Sequence, residues 1–114
     1  MTLNEKQTEF TNCIARLISW AFDNDIKVIL AEAYRTKEQA EIYALSGKGI
    51  RNSAHCYKLA VDLFVFTGST VSWDSDDYED LGKKWKTMHP LARWGGDFNN
   101  RDCVHFSFEH KGRK

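Results

Sequence analysis

Residues 59–66, Leu59-Ala60-Val61-Asp62-Leu63-Phe64-Val65-Phe66, put Leu59, Val61, Leu63 and Val65 on one parity and Ala60, Asp62, Phe64 and Phe66 on the other. Successive strand side chains point to opposite faces, so this stretch is the best strand in the chain, with the carboxylate of Asp62 set on an apolar element. Cys103-Val104-His105-Phe106-Ser107-Phe108 repeats the pattern. Val104, Phe106 and Phe108 make a core face there, and His105 shares the other face with Cys103 and Ser107.

Working outward, Phe10, Ile14, Leu17, Ile18 and Ala21 recur at three- and four-residue steps, which predicts an amphipathic helix over 4–23. Ile26 to Leu30 is short and β-branched, a strand leading into Ala31-Glu32-Ala33-Tyr34-Arg35. Thr36 with Gln39 reads as a capping box opening a helix over about 37–45, so Arg35 stands at a strand-to-helix junction. The stretch to Ser53 is a loop rich in Gly, Asn and Ser, and its two glycines are a weak nucleotide signal. A polar loop spans 67–76. A third helix follows over 76–88, acidic early and basic late, closed by Pro90, and Trp94-Gly95-Gly96-Asp97 forms a turn. The expectation is an α+β fold, a small, mainly antiparallel sheet with helices packed on one side.

At 114 residues with 42% hydrophobic side chains, one domain over 1–114 is expected. Sixteen basic and sixteen acidic residues cancel, which removes the electrostatic argument for a nucleic-acid or anionic-membrane partner. No apolar run approaches the roughly 18 residues of a spanning helix, so no stable membrane association is expected, and Met1 to Lys6 does not read as a signal peptide. Cys13, Cys56 and Cys103 are odd in number and lack CxxC spacing, which fits synthesis in a reducing cytoplasm. A small, charge-balanced domain is expected to be a monomer.

A catalytic zinc ion usually takes three protein ligands and keeps a fourth position for water; His55, Asp62 and His105 can supply that set. His55 lies in the loop before the strong strand. By itself the HxxxxxxD spacing is weak, and a lone Asp62 on an apolar strand reads more often as a buried carboxylate paired with Arg35 than as a ligand. His89 and His110 lack partners at a recognisable spacing and read as surface histidines. Cys56 and Cys103 read as small apolar residues rather than ligands.

Ser53-Ala54-His55-Cys56-Tyr57-Lys58-Leu59-Ala60-Val61-Asp62 resembles the SxHxxGxAxD motif of the zinc D-Ala-D-Ala peptidases of the VanX/VanY type and of the related L-alanyl-D-glutamate endopeptidases used as phage endolysins. Ala33-Tyr34-Arg35-Thr36 with Gln39 resembles that family's GYR(S/T) segment. Trp94-Gly95-Gly96-Asp97-Phe98 followed by Asp102 and His105 resembles its WGGDF and (D/E)xxH block. Lys58 and Ala33 stand where the family usually has Gly, which puts local backbone geometry in question.

The resemblance implies a Hedgehog/DD-peptidase-like fold and one Zn2+ held by His55, Asp62 and His105. It implies Asp102 as general base, and Arg35 as donor to an oxyanion or to a substrate carboxylate. Ser53, Gln39 and Trp94 are the expected substrate contacts, with loop shaping the alternative for Ser53 and a core anchor the alternative for Trp94. The implied function is hydrolysis of the L-Ala to D-Glu bond of the peptidoglycan stem peptide by a phage-type endolysin, made in the host cytoplasm and reaching the wall with holin assistance. The alternatives are a D-Ala-D-Ala carboxypeptidase or dipeptidase, or a non-catalytic zinc-containing cell-wall binding module.

Overall fold

Thr2 opens the first helix with a complete capping box. Its hydroxyl accepts from the Glu5 amide at 3.1 Å, and the Glu5 carboxylate accepts from the Thr2 amide at 3.3 Å, so two otherwise orphaned donors are satisfied. In the computed structural model, which describes residues 1–114, this helix, α1, runs Leu3–Asp23 and buries Phe10, Cys13, Ile14, Leu17 and Ala21, the face expected from the sequence. Helix α2 is Lys37–Leu45. Thr36 caps it by accepting from the Gln39 amide at 3.0 Å, but the return bond from the Gln39 side chain is not formed, so the expected box is one-sided. The third helical segment divides. Asp74 caps a 3-10 turn, Ser75–Tyr78, which runs into α3, Glu79–Met88.

The sheet is antiparallel throughout. Its strands are β1 (Val28–Leu30), β2 (Ala60–Thr67), β3 (Thr70–Val71), β4 (Ala92–Trp94) and β5 (His105–Phe108), in the order β1-β2-β5-β4, with β3 paired to β2. Gly68, at φ +67, turns the β2–β3 hairpin. β3 lies in the stretch 67–76 expected to be a loop, β4 has no counterpart among the expected strands, and β5 begins two residues after the expected start at Cys103. Strands of two and three residues are too short to display a period.

Leu59, Val61, Leu63, Val65, Phe106 and Phe108 pack with the buried faces of α1 and α3 into one core. Trp85 stacks on Phe108 at 5.6 Å between ring centroids, and Phe10 meets both rings edge-on, an arrangement suited to aromatic quadrupoles. With that parity committed to the core, the opposite parity of β2 and β5 carries Asp62 and His105. No helix is long and apolar enough to cross a membrane.

Candidate metal centre

Asp62 and His105 are directly opposed across the β2–β5 ladder, and paired strand residues share a face with Cβ atoms roughly 5 Å apart. His55 comes from outside the sheet, on a 3-10 turn, Ala54–Tyr57, that the Ser53 hydroxyl caps by accepting from the His55 amide at 3.1 Å. The turn ends at Lys58, in the left-handed conformation at φ 57, ψ 36. That sharp reversal lets β2 begin two residues later. The family's Gly at this position would adopt such a conformation without the Cβ penalty, so Lys58 carries a local strain that Gly would not. Ala33, the other departure, contributes a backbone carbonyl and needs no special side chain.

The segment after β1 fastens the site from below. The Ala31 amide donates to the Asp62 carbonyl at 2.9 Å, and the Asp62 amide donates to the Glu32 carbonyl at 2.8 Å. His55 Nδ1 lies 2.8 Å from the Ala33 carbonyl, an acceptor only, so this nitrogen is the donor and Nε2 is left as the basic nitrogen facing the cluster. Nε2 lies 3.3 Å from Asp62 Oδ1, and His105 Nδ1 lies 3.6 Å from the same oxygen. One ligand atom from each of the three residues falls within 4.8 Å of the others.

This set fits a metal ion on its own terms. His55 is 2% and His105 5% exposed, while Asp62 Oδ1 and His105 Nε2 are buried without a hydrogen-bond partner. Asp62 Oδ1 faces His55 Nε2 and His105 Nδ1, and His105 leaves its second ring nitrogen buried as well; an acceptor-rich set of this kind is satisfied by a proton or by a metal cation. Burial alone would raise the Asp62 carboxyl, but the His105 and His55 imidazoles beside it outweigh burial and hold the group at about 2. Burial alone would lower His55, and the Asp62 carboxylate and Ala33 carbonyl together raise it. The Asp62 side chain keeps 18% exposure, so the cluster has an open side.

Asp102 sits on the turn before β5. Its carbonyl accepts from the His105 amide at 3.0 Å, and its amide donates to the Gly95 carbonyl at 2.9 Å. Burial pushes its carboxyl up, against the pull of His105, and the Asp62 charge adds to the rise. Arg35 is 11% exposed and its charge is felt at both His55 and Asp102. Its amide donates to the His55 carbonyl at 3.2 Å. It pairs with Glu32 rather than Asp62, which removes the ion-pair rival for Asp62. Glu32 itself was not singled out from the sequence, because a pair three residues apart in an extended segment follows no periodicity.

Three expected substrate contacts fall differently. Trp94 takes the core-anchor position: it is 6% exposed, donates from Nε1 to the Cys103 carbonyl at 2.8 Å, and packs against Gly82 and Gly96, where a Cβ would come within 2.2 and 2.3 Å of its ring. Ser53 is 4% exposed and spends its hydroxyl on the turn that carries His55. Gln39 is half-buried, and its side chain forms no hydrogen bond with the protein. Neither Cys56 nor Cys103 joins the cluster. His89 and His110 are not loose surface groups: His89 bonds Glu9 at 2.8 Å and stacks on Phe108, and His110 Nδ1 accepts from Lys6 at 2.9 Å.

The family model described as D-alanyl-D-alanine carboxypeptidase, of the M15 peptidases, matches residues 46–108. The L-alanyl-D-glutamate peptidase of Listeria phage A118 is 35% identical over 112 residues, covering 94% of this chain; the chain spans 40% of that relative's length. The structure of the Serratia marcescens L-Ala D-Glu endopeptidase ChiX superposes with a TM-score of 0.76 at 18% identity, over 90% of this chain and 79% of that one.

Proposed function

Because the chain belongs to the M15 peptidase family described as D-alanyl-D-alanine carboxypeptidase, we propose that it is a zinc-dependent peptidase cutting the L-Ala to D-Glu bond of the peptidoglycan stem peptide. The observation that carries this reading is the His55, Asp62 and His105 cluster, three ligand atoms within 4.8 Å with two of the cluster's polar atoms buried and unpartnered. Three ligands with an open side suit a catalytic rather than a closed structural site, which counts against a non-catalytic binding module.

His55, Asp62 and His105 would hold a zinc ion, which when bound would supply Lewis acidity to the scissile carbonyl and to a water molecule. The chain's own groups do the rest. Asp102 takes the proton from that water and passes it to the leaving amine, a task that its raised carboxyl pKa favours. Arg35 donates to the oxyanion or to a substrate carboxylate. Ser53 and Ala33 orient His55, the first through the turn and the second through the ring nitrogen. Gln39 contacts the substrate from the start of α2. The choice of bond is supported by the likeness to the phage relative, whose name carries that activity. D-Ala-D-Ala carboxypeptidase action, named in the family's description, is the second reading. The enzyme works as a monomer on the cell wall, as an endolysin released from the host cytoplasm with holin assistance.

Purified peptidoglycan digested with the zinc-loaded protein and analysed by mass spectrometry tests the reading. New N-terminal D-Glu is the expected product. Free D-Ala transfers the assignment to the carboxypeptidase, and intact wall overturns the enzyme reading.

A further inference from the structure

Arg35 is placed at the metal cluster by its backbone, but its side chain is aimed by another residue. Glu32 Oε1 accepts from Arg35 Nε at 3.0 Å and from Arg35 Nη2 on the same edge of the guanidinium. The Tyr43 ring lies 5.0 Å from the guanidinium carbon, and Gly49, whose added Cβ would stand 3.7 Å from Nη1, borders the far end. Nη1 makes no hydrogen bond to the protein, yet it is not among the buried unpartnered atoms. The outer end of the fork therefore faces accessible space, while the inner edge is fully engaged.

We infer that Glu32 is a positioning residue, which grips the inner edge of Arg35 so that its Nη1 end meets an anionic oxygen of the substrate. A guanidinium has five donors in one plane, and fixing one edge fixes the direction of the other. Without that grip the long side chain samples several rotamers and loses orientation before binding. The same residue holds the site by its main chain, since its carbonyl accepts from the Asp62 amide at 2.8 Å. Side-chain substitutions at Glu32 leave that bond in place, so the two roles are separable. Glu32 also neutralises Arg35 in the free enzyme, which limits repulsion between the guanidinium and a dication at the cluster.

This inference rests on the peptidase reading, and its test has one arm that does not. In the first arm, cleavage is measured for Glu32→Ala, Glu32→Gln, Arg35→Ala and the Glu32→Ala/Arg35→Ala double variant, each checked for zinc content. Glu32→Ala is expected to lose on the order of 10- to 100-fold in kcat/KM with zinc retained. Glu32→Gln, which keeps the Oε1 acceptor, restores most of that. In the double variant, removing Glu32 costs nothing beyond the loss from Arg35→Ala. Additive losses would overturn the inference, as would full activity of Glu32→Ala. In the second arm, the 15N-edited NMR signal of Arg35 Nε–H, assigned by its disappearance in Arg35→Lys, is expected to be slow to exchange in the wild type and fast in Glu32→Ala. Unchanged protection in Glu32→Ala overturns the positioning role whether or not the wild type cleaves peptidoglycan. An inactive wild type with the expected NMR change would instead count against the peptidase reading alone.

Discussion

Lys58 shows how a single backbone angle supports the cluster. Its φ of 57 ends the turn that carries His55, and an L-residue with a Cβ pays roughly 1 kcal/mol or more for that conformation. Lys58→Gly is therefore expected to raise stability by about 0.5–1 kcal/mol, after the greater unfolded-state freedom of Gly is subtracted. A urea midpoint shifted upward with zinc content unchanged is the result to look for; a lower midpoint would mean that the contact of the Lys58 amine with the Tyr34 ring, 5.3 Å away, outweighs the strain. Asp102 and His55 make a contrasting pair. Asp102→Ala is expected to keep one zinc ion and lose at least about 100-fold in hydrolysis, whereas His55→Ala is expected to lose the metal itself. Metal analysis alongside rate measurement separates the two, and full residual activity of Asp102→Ala would remove that residue from the mechanism.

At the scale of elements, the decisive packing is that of the β4–β5 connection against its own return and the start of β5. A Cβ on Gly95 would lie 2.0 Å from the Asp102 carbonyl oxygen and 2.9 Å from His105 Cβ, so only Gly lets the turn bearing Asp102 approach the strand bearing His105. Gly95→Ala is expected to cost about 2 kcal/mol or more and to lower zinc affinity with it; thermal melting followed in the presence and absence of zinc would reveal both. A variant as stable as the wild type would show that the turn yields freely. These elements differed in how plainly the sequence announced them. The parity of 59–66 and 103–108 already separated Asp62 and His105 from the core residues, because alternation is local and needs no knowledge of neighbours. Trp94 could not be placed that way. Whether an indole faces a cleft or a core depends on Gly82, twelve residues earlier and on helix α3. The Glu32 to Arg35 grip was equally hidden, since nothing local says which carboxylate an arginine will meet.

For the molecule as a whole, the ends of the chain are joined through His110. It is nearly buried, accepts from Lys6 on α1, and has its pKa lowered by burial first and then by Lys6, Lys111 and Arg113. A histidine held neutral stabilises the fold fully above its unfolded pKa of 6.5, and that contribution is lost as pH falls through the lower folded value. The difference in urea midpoint between wild type and His110→Gln is thus expected to be larger at pH 7.5 than at pH 5. An equal difference at both would contradict the neutral link. His55 shifts the opposite way, which is why the comparison is made against the His110 variant and not from the wild-type profile alone. The sequence offered no hint of this link, because Lys6 and His110 are brought together only when α1 packs across the sheet.

The central claim is that His55, Asp62 and His105 hold one zinc ion. Diffraction from zinc-loaded crystals, collected on either side of the zinc absorption edge, tests it most directly. The expected result is a single anomalous peak bonded to all three residues at about 2.0–2.2 Å. A peak elsewhere, or one bonded to a cysteine in place of any of the three, would contradict the account.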